Sequence, residues 1–410
     1  MRQSRPSASA ARSGPRREPT DSTGGASWRY VDTPAGLEEL LSDLAGVDEY
    51  AIDTEFHRER SYFPHLALVQ IAWESGIALV DPLRTGVLPL RGLLESDAVA
   101  VLHAADQDLE ILERECEVLP KVIFDTQVSS GFVGYVSPSL SSLIEHELGL
   151  RLHKADQLTD WTRRPLSAGQ QAYAAGDVAH LLELRARLTS RLEELGRVEW
   201  AAEECAILLR RDRSAIDPAR AWWRLPHSRQ LRGSAKSIAQ EVAAWRERRA
   251  QSLDVPVRFV LSDLAVMSIA QRPPKSRQEL MGVRGVDGRH LNGGAADELL
   301  AAVSRGRSLP PEELNLPPRN PLERINKPVV ALASAYAGQL ANELALDPAV
   351  LATRADIAAF FQAPPSGRLV SGWRHELIGA SLDRLAAGAA ALAFSGADKL
   401  VLEERSYRPL

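Results

Sequence analysis

Between residues 50 and 126, apolar residues cluster in five short stretches: Ala51–Glu55, Leu66–Trp73, Ile77–Val80, Val99–Ala104 and Val122–Asp125. Several alternate apolar with polar positions, the side-chain period of a strand. Only Glu74-Ser75-Gly76 separates the second stretch from the third, a hairpin turn that makes those two strands antiparallel. The later strands are separated by helical segments from Leu90 onward, which allow parallel crossovers, so the expected sheet is mixed.

Beyond Ser139 the spacing changes to three and four residues, and the whole remainder reads as helix. Segments 139–148, 167–196, 197–210 and 231–250 are predicted helices, the last carrying Leu231, Ile238, Val242 and Trp245 on one side. A Pro-rich stretch, Leu309-Pro310-Pro311 through Leu316-Pro317-Pro318, marks a linker between two helical units of similar size. Each unit ends in a Gly-punctuated turn before an apolar helix: Gly282-Val283-Arg284-Gly285 before Leu299, and Gly372-Trp373-Arg374 before Leu382. That pattern suggests a diverged tandem repeat. The fold class expected is α/β followed by all-α. Its parts are an N-terminal arm (1–27), a mixed-sheet domain (28–205), a helical unit (216–306), a linker (307–319) and a second helical unit (320–405).

Five side chains in the first half are spaced for chemistry. Asp53 and Glu55, two apart on a strand, emerge on one face and can reach one hard cation. Tyr173 and Asp177, four apart, share a face of a helix that starts at the capping box Ser167…Gln170, just after Pro165. Asp108 lies at a helix start after an apolar strand, where the helix N-terminus favours a carboxylate. Singly, each pattern is commonest as a solvated edge or ordinary packing, and Asp106 and Glu110 read as solvated acids. The conjunction carries the signal. Two cations about 4 Å apart can activate a water and stabilise a departing oxygen in phosphodiester hydrolysis. Asp53 then bridges, Glu55 and Asp177 complete one ion, Asp108 supports the other, and Tyr173 orients the attacking water.

These segments match, in order, the three motifs of the DEDD 3′→5′ exonucleases, and the chain resembles their tyrosine-containing subgroup. The local text resembles the ribonuclease D family: Asp53-Thr54-Glu55-Phe56, Tyr62-Phe63-Pro64, Leu68-Val69-Gln70-Ile71, Asp81-Pro82-Leu83, Asp125-Thr126-Gln127, Asp160-Trp161 and Arg164-Pro165-Leu166. The resemblance spans about residues 28 to 200. It implies a ribonuclease H-like fold, metal binding by Asp53, Glu55, Asp108 and Asp177, and a catalytic Tyr173. The unit at 216–306 resembles an HRDC domain, a helical module shared with RecQ-type helicases, through Ser237–Ala250, Val260–Ala270 and Glu279-Leu280-Met281-Gly282-Val283. The second unit resembles HRDC only in position and size.

Charge changes the picture of the helical half. The whole chain is −5, which by itself discourages a nucleic-acid partner. Residues 29–199 hold 15 basic against 29 acidic residues, net −14, while 220–290 hold 14 against 6, net +8. The chain divides into a cutting part and a gripping part. Candidate phosphate contacts are Arg246, Arg248, Arg249, Arg272, Lys275, Arg277, Arg284 and Arg289; Trp222, Trp223 and Trp245 read as core. Nearer the acids, Phe56, Tyr62, Gln70, His103, Lys154, Arg163 and Arg164 are candidates to hold the 3′-terminal nucleotides.

Two cysteines without C-x-x-C spacing argue against a zinc knuckle or a disulfide framework. Residues 1–25 read as a disordered basic arm, with an organelle transit peptide as the competing reading. The expectation is a cytoplasmic, monomeric exoribonuclease without a membrane segment, using two Mg2+ (or Mn2+) ions. It would release 5′-mononucleotides from tRNA precursors and other small structured RNAs. A DNA-directed 3′→5′ exonuclease is one alternative, because the same carboxylate chemistry serves both and no residue pattern reads the 2′-hydroxyl; a non-catalytic RNA-binding scaffold is the other, and it would need a broken metal site where this one is intact.

Overall fold

A six-stranded mixed sheet forms the frame, in the order β1-β4-β3-β2-β5-β6. The computed structural model describes residues 27–152, 159–288, 291–317, 327–396 and 399–405. The strands are β1 (Trp28–Val31), β2 (Glu49–His57), β3 (His65–Trp73), β4 (Gly76–Val80), β5 (Val99–Leu102) and β6 (Val122–Asp125). β2, β3 and β4 form an antiparallel meander, as the short turn at Glu74-Ser75 requires. β5 and β6 add in parallel to β2, and β1, which the sequence reading did not include, adds in parallel to β4.

The sheet has a core on each face. One face carries Tyr50, Ile52, Val69, Ile71, Val80, Ala100 and Leu102, packed with residues of the helices Pro34–Asp43 and Asp106–Cys116. The other carries Ala51, Ala72 and Val101, together with Leu68 and Leu79. The helix Ala168–Ala179 lies across β2, β3 and β4 on this second face, and Leu181–Glu194 follows it after His180. Its capping box forms as expected: Ser167 accepts from the Gln170 backbone, and the Gln170 side chain accepts from the Ser167 backbone. The predicted 167–196 segment is therefore two helices, broken at His180.

The segment leading into that helix is held by Arg164, all five of whose N–H groups are used. They donate to both oxygens of fully buried Asp81 (2.6 and 2.8 Å), to the Ala67 carbonyl (2.6 Å), and to the carbonyls of Trp161 (2.7 Å) and Arg163 (2.9 Å). Tyr30 adds a hydroxyl to Asp81 at 2.8 Å. The guanidinium and Tyr30 together hold the Asp81 carboxyl below its usual range despite burial.

The first helical unit has its own core, in which Trp222, Ile238, Val242, Trp245, Ile269, Leu280 and Leu299 meet. It docks on the loop after β2. Tyr62 donates its hydroxyl to Glu247 (2.5 Å), and the Asp254 carboxylate accepts from the backbones of Tyr62 and Phe63 (both 3.0 Å). The second unit shares a core with the sheet domain: Trp373 stacks on Trp200 at 4.9 Å and meets Phe132 edge-on at 5.5 Å. It is not wholly helical. Ala390–Phe394 (β7) and Leu400–Glu404 (β8) form an antiparallel hairpin, which corrects the expectation that everything beyond Ser139 is helix. Both cysteines are free and buried. Among the described residues no helix is long and apolar enough to cross a membrane.

Candidate active site

Asp53 and Glu55 leave β2 on the face covered by Ala168–Ala179, and a bulge falls directly after Glu55. Asp177 descends from that helix. Oxygens of Asp53, Glu55 and Asp177 all lie within 4.8 Å of one another. One turn earlier, the Tyr173 hydroxyl donates to the Asp177 carboxylate. Trp161, buried among Leu68, Leu79, Ala174 and Ala175, places its ring 6.0 Å from that of Tyr173.

Asp108 approaches from the first turn of Asp106–Cys116. Its Oδ1 accepts from the Thr54 backbone at 3.1 Å and from the Thr54 hydroxyl at 2.5 Å, and Asp108 is not among the three acids whose oxygens gather within 4.8 Å. Thr54 lies between Asp53 and Glu55, so these bonds fix Asp108 against the strand that carries the other two acids. Asp125, noted in the sequence only as family text, sets this geometry. Fully buried, it accepts from the backbones of Ala104 (3.1 Å), Ala105 (2.8 Å), Gln127 (2.8 Å) and Val128 (3.2 Å). It thus ties down the turn before the Asp108 helix, where Ala104 is left-handed (φ 57°). An Asp just after an apolar strand is the available signal, since that residue caps the helix that follows.

The acids strongly perturb one another. Burial, then the charges of Asp108, Asp177 and Glu55, hold the Asp53 carboxyl well above its ordinary range. Burial, then Asp177 and Asp108, push Glu55 up to about 8. Asp177 rises to about 7 through burial and Asp108, against the pull of the Tyr173 hydrogen bond. Asp108 rises to about 6, its burial partly offset by the bonds from Thr54. Carboxylates packed this way repel one another, and an oxygen-seeking divalent cation relieves that repulsion. The donor set fits such ions.

Known proteins agree with this geometry. Residues 28–193 match the 3′-5′ exonuclease family and residues 235–303 the HRDC domain. A crystal structure of Escherichia coli RNase D, described as an exoribonuclease involved in structured RNA processing, is similar with a TM-score of 0.79. It is 30% identical, and the match covers 88% of this chain and 99% of that one. The ribonuclease D of Jannaschia sp. is 35% identical over 382 residues, covering 91% of this chain and 99% of the relative. That of Acidiphilium cryptum is 33% identical over 376 residues, 89% and 95% of the two chains. The chain belongs to the ribonuclease D family. Its activity is 3′→5′ exoribonucleolysis, and membership implies divalent metal at the acidic cluster.

Several peripheral candidates in this ribonuclease D family protein are buried or engaged in other contacts. Gln70 is fully buried, so it is no substrate contact. Tyr62 is engaged with the first helical unit. Phe56 packs against the core of the opposite face. His103 is held at the strand end: the Thr126 hydroxyl donates to Leu102, so the His103 Nδ1, 2.9 Å away, donates to Thr126. Burial depresses the His103 imidazole. Arg164 belongs to the Asp81 clamp. Arg163 stays exposed beside Asp160 (3.3 Å), and Lys154 falls outside the described residues.

The basic set also divides. Arg246 turns inward, 3% exposed, donating to the Leu261 carbonyl (3.0 Å) and to Asp263 (2.7 Å), because its helix position faces the core. Arg249 pairs with Glu298 (3.3 Å) and Arg277 with Asp297. Arg248, Arg272, Lys275 and Arg284 face solvent, and Arg289 is outside the described residues. Trp222 and Trp223 both donate to the Asn315 carbonyl, and all three tryptophans serve the helical core.

Proposed function

We propose that the chain shortens RNA from its 3′ end by two-metal hydrolysis at Asp53, Glu55, Asp108 and Asp177, with Tyr173 as the catalytic hydroxyl. Divalent cations held there supply an activated water and stabilise the charge developing on the departing 3′ oxygen. Asp53, Glu55 and Asp177 would hold such ions, and Asp108, whose Oδ1 is taken up by Thr54, would support them. The Tyr173 O–H is committed to Asp177, so its lone pairs accept a hydrogen bond from the attacking water and orient it. The observation that carries this reading is the gathering of Asp53, Glu55 and Asp177 within 4.8 Å beneath the helix that bears Tyr173.

Magnesium is the metal of this reading, with manganese able to replace it. The substrates are tRNA precursors and other small structured RNAs, and the enzyme is a cytoplasmic monomer. The sheet domain (28–205) cuts. The unit at 216–306 grips phosphates through its solvent-facing cations, Lys275 and Arg284 among them, and the unit at 320–405 braces the sheet domain. Support for structured RNA comes from the Escherichia coli relative.

The test uses 5′-labelled RNA and DNA of one sequence with Mg2+, beside Asp53→Asn. Stepwise RNA shortening that EDTA and the variant both abolish is the expected result. Equal or faster loss of DNA, or activity that survives in Asp53→Asn, would overturn the proposal.

A further inference from the structure

Among the described residues several buried side-chain groups lack a hydrogen-bond partner, the Tyr50 hydroxyl of β2 among them, but only Gln70 leaves a whole amide of the sheet unpaired. Gln70 is 0% exposed, and among the described residues neither its Oε1 nor its Nε2 has a hydrogen-bond partner. A buried amide without partners costs on the order of 1–3 kcal/mol, and native cores hold few of them. An apolar residue of similar shape would avoid that cost, so the amide calls for an explanation in function.

Its position provides one. In the β2–β3 register Gln70 stands directly opposite Asp53, and in the β3–β4 register opposite Leu79. Opposed residues on antiparallel strands share a face, with Cβ atoms about 5 Å apart. The Gln70 amide therefore lies on the Asp53 face. The cluster on that face holds Leu68 and Leu79 of the sheet and Ala174 and Ala175 of the covering helix, together with Trp161, whose buried Nε1 is likewise without a partner among the described residues. The one strong acceptor directly across the register is the Asp53 carboxylate.

We infer that Gln70 is a positioning residue for the metal site. With a divalent cation held at Asp53, the Gln70 Nε2–H would donate to the Asp53 carboxylate across the register and fix its orientation. Supporting donors of this kind hold ligating carboxylates in place, and their loss typically weakens metal affinity by about 10- to 100-fold. The orphaned amide is then a cost of the metal-free chain that loading relieves. This inference rests on the metal reading above.

The test compares the full chain with Gln70→Leu, Gln70→Met and Asp53→Asn by titrating Mn2+ calorimetrically and by melting each protein in EDTA. Either apolar variant should melt in EDTA at or above the parent temperature while binding Mn2+ about 10-fold more weakly. A residue that merely packs would behave oppositely, lowering the EDTA melting temperature and leaving the affinity alone; that result overturns the inference. Using two apolar replacements guards against one that fails to fold. If Gln70→Leu and Gln70→Met bind Mn2+ like the parent while Asp53→Asn does not bind, the positioning role is wrong and the metal site stands. If Asp53→Asn binds Mn2+ as tightly as the parent, the metal site itself is wrong.

Discussion

Replacing Glu55 by Gln should make the metal-free protein more stable, not less. Burial and the charges of Asp177 and Asp108 lift Glu55 from 4.5 to about 8. A carboxyl raised on folding favours the native state only while it is protonated. The benefit is complete below about pH 4.5 and is lost as pH climbs through 8. Near pH 8 the parent must either hold a proton or force a charge among three other acids, whereas a neutral amide has neither burden. At 1.36 kcal/mol per unit, the full shift would amount to about 5 kcal/mol; solvent screening of this partly exposed group reduces it to about 2 kcal/mol. For a domain of this size that corresponds to roughly 4–8 °C in Tm. Calorimetric melts of the full chain in EDTA should therefore show Glu55→Gln above the parent at pH 8, with the gap closing toward pH 5. Saturating Mg2+ should reverse the order, because only the parent keeps its full ligand set. A gap that is absent at pH 8, or that does not change with pH, would refute the reasoning.

Tyr173→Phe should lower kcat by about 100-fold or more and, because the hydroxyl donates to the ligand Asp177, weaken metal affinity by about 10-fold; calorimetric metal titration beside single-turnover kinetics checks both halves. Arg164→Lys keeps the charge but cannot make the paired bonds to Asp81, so urea denaturation should show a loss on the order of 3 kcal/mol. Arg246→Gln should reduce stability while leaving the salt dependence of RNA binding intact. Lys275→Ala and Arg284→Ala should each reduce that salt slope by about one without affecting the urea midpoint.

What the sequence disclosed was local. The capping box at Ser167 and Gln170 and the shared face of Asp53 and Glu55 depend on residues within one turn or one strand. What it withheld depends on partners far along the chain. Gln70 looks like a polar position beside an active strand, and only the helix laid across β3 turns it into a buried one. Arg246 belongs to a run of arginines, yet the helix turns it onto Asp263 and its neighbour Arg248 to solvent. The Ala390–Phe394 stretch reads Ala-Ala-Leu-Ala-Phe, a composition that suits a helix. It is a strand because Leu400–Glu404 pairs with it. Net charge suggested a uniform basic face, but it could not show that Glu298 and Asp297 neutralise Arg249 and Arg277.

The two helical units are attached by different physics, and that difference separates their roles. The first meets the sheet domain through directional polar bonds: Glu247 and Asp254 receive Tyr62, Phe63 and His65 from the loop that continues β2 beyond Glu55. That link is short in sequence, because only six residues separate Glu55 from Tyr62. The first unit is thus linked to the acids through a single loop. The second unit is joined through a continuous core and two buried arginines. Arg197 donates to the carbonyls of Phe132, Leu344 and Ala345, and Arg374 to Glu204 and the Val350 carbonyl. A buried guanidinium that loses its acceptors is left unpaired at a cost of several kcal/mol, so this junction resists sliding. The second unit is thus part of the body on which the acids are mounted, while the first is held to it by one loop.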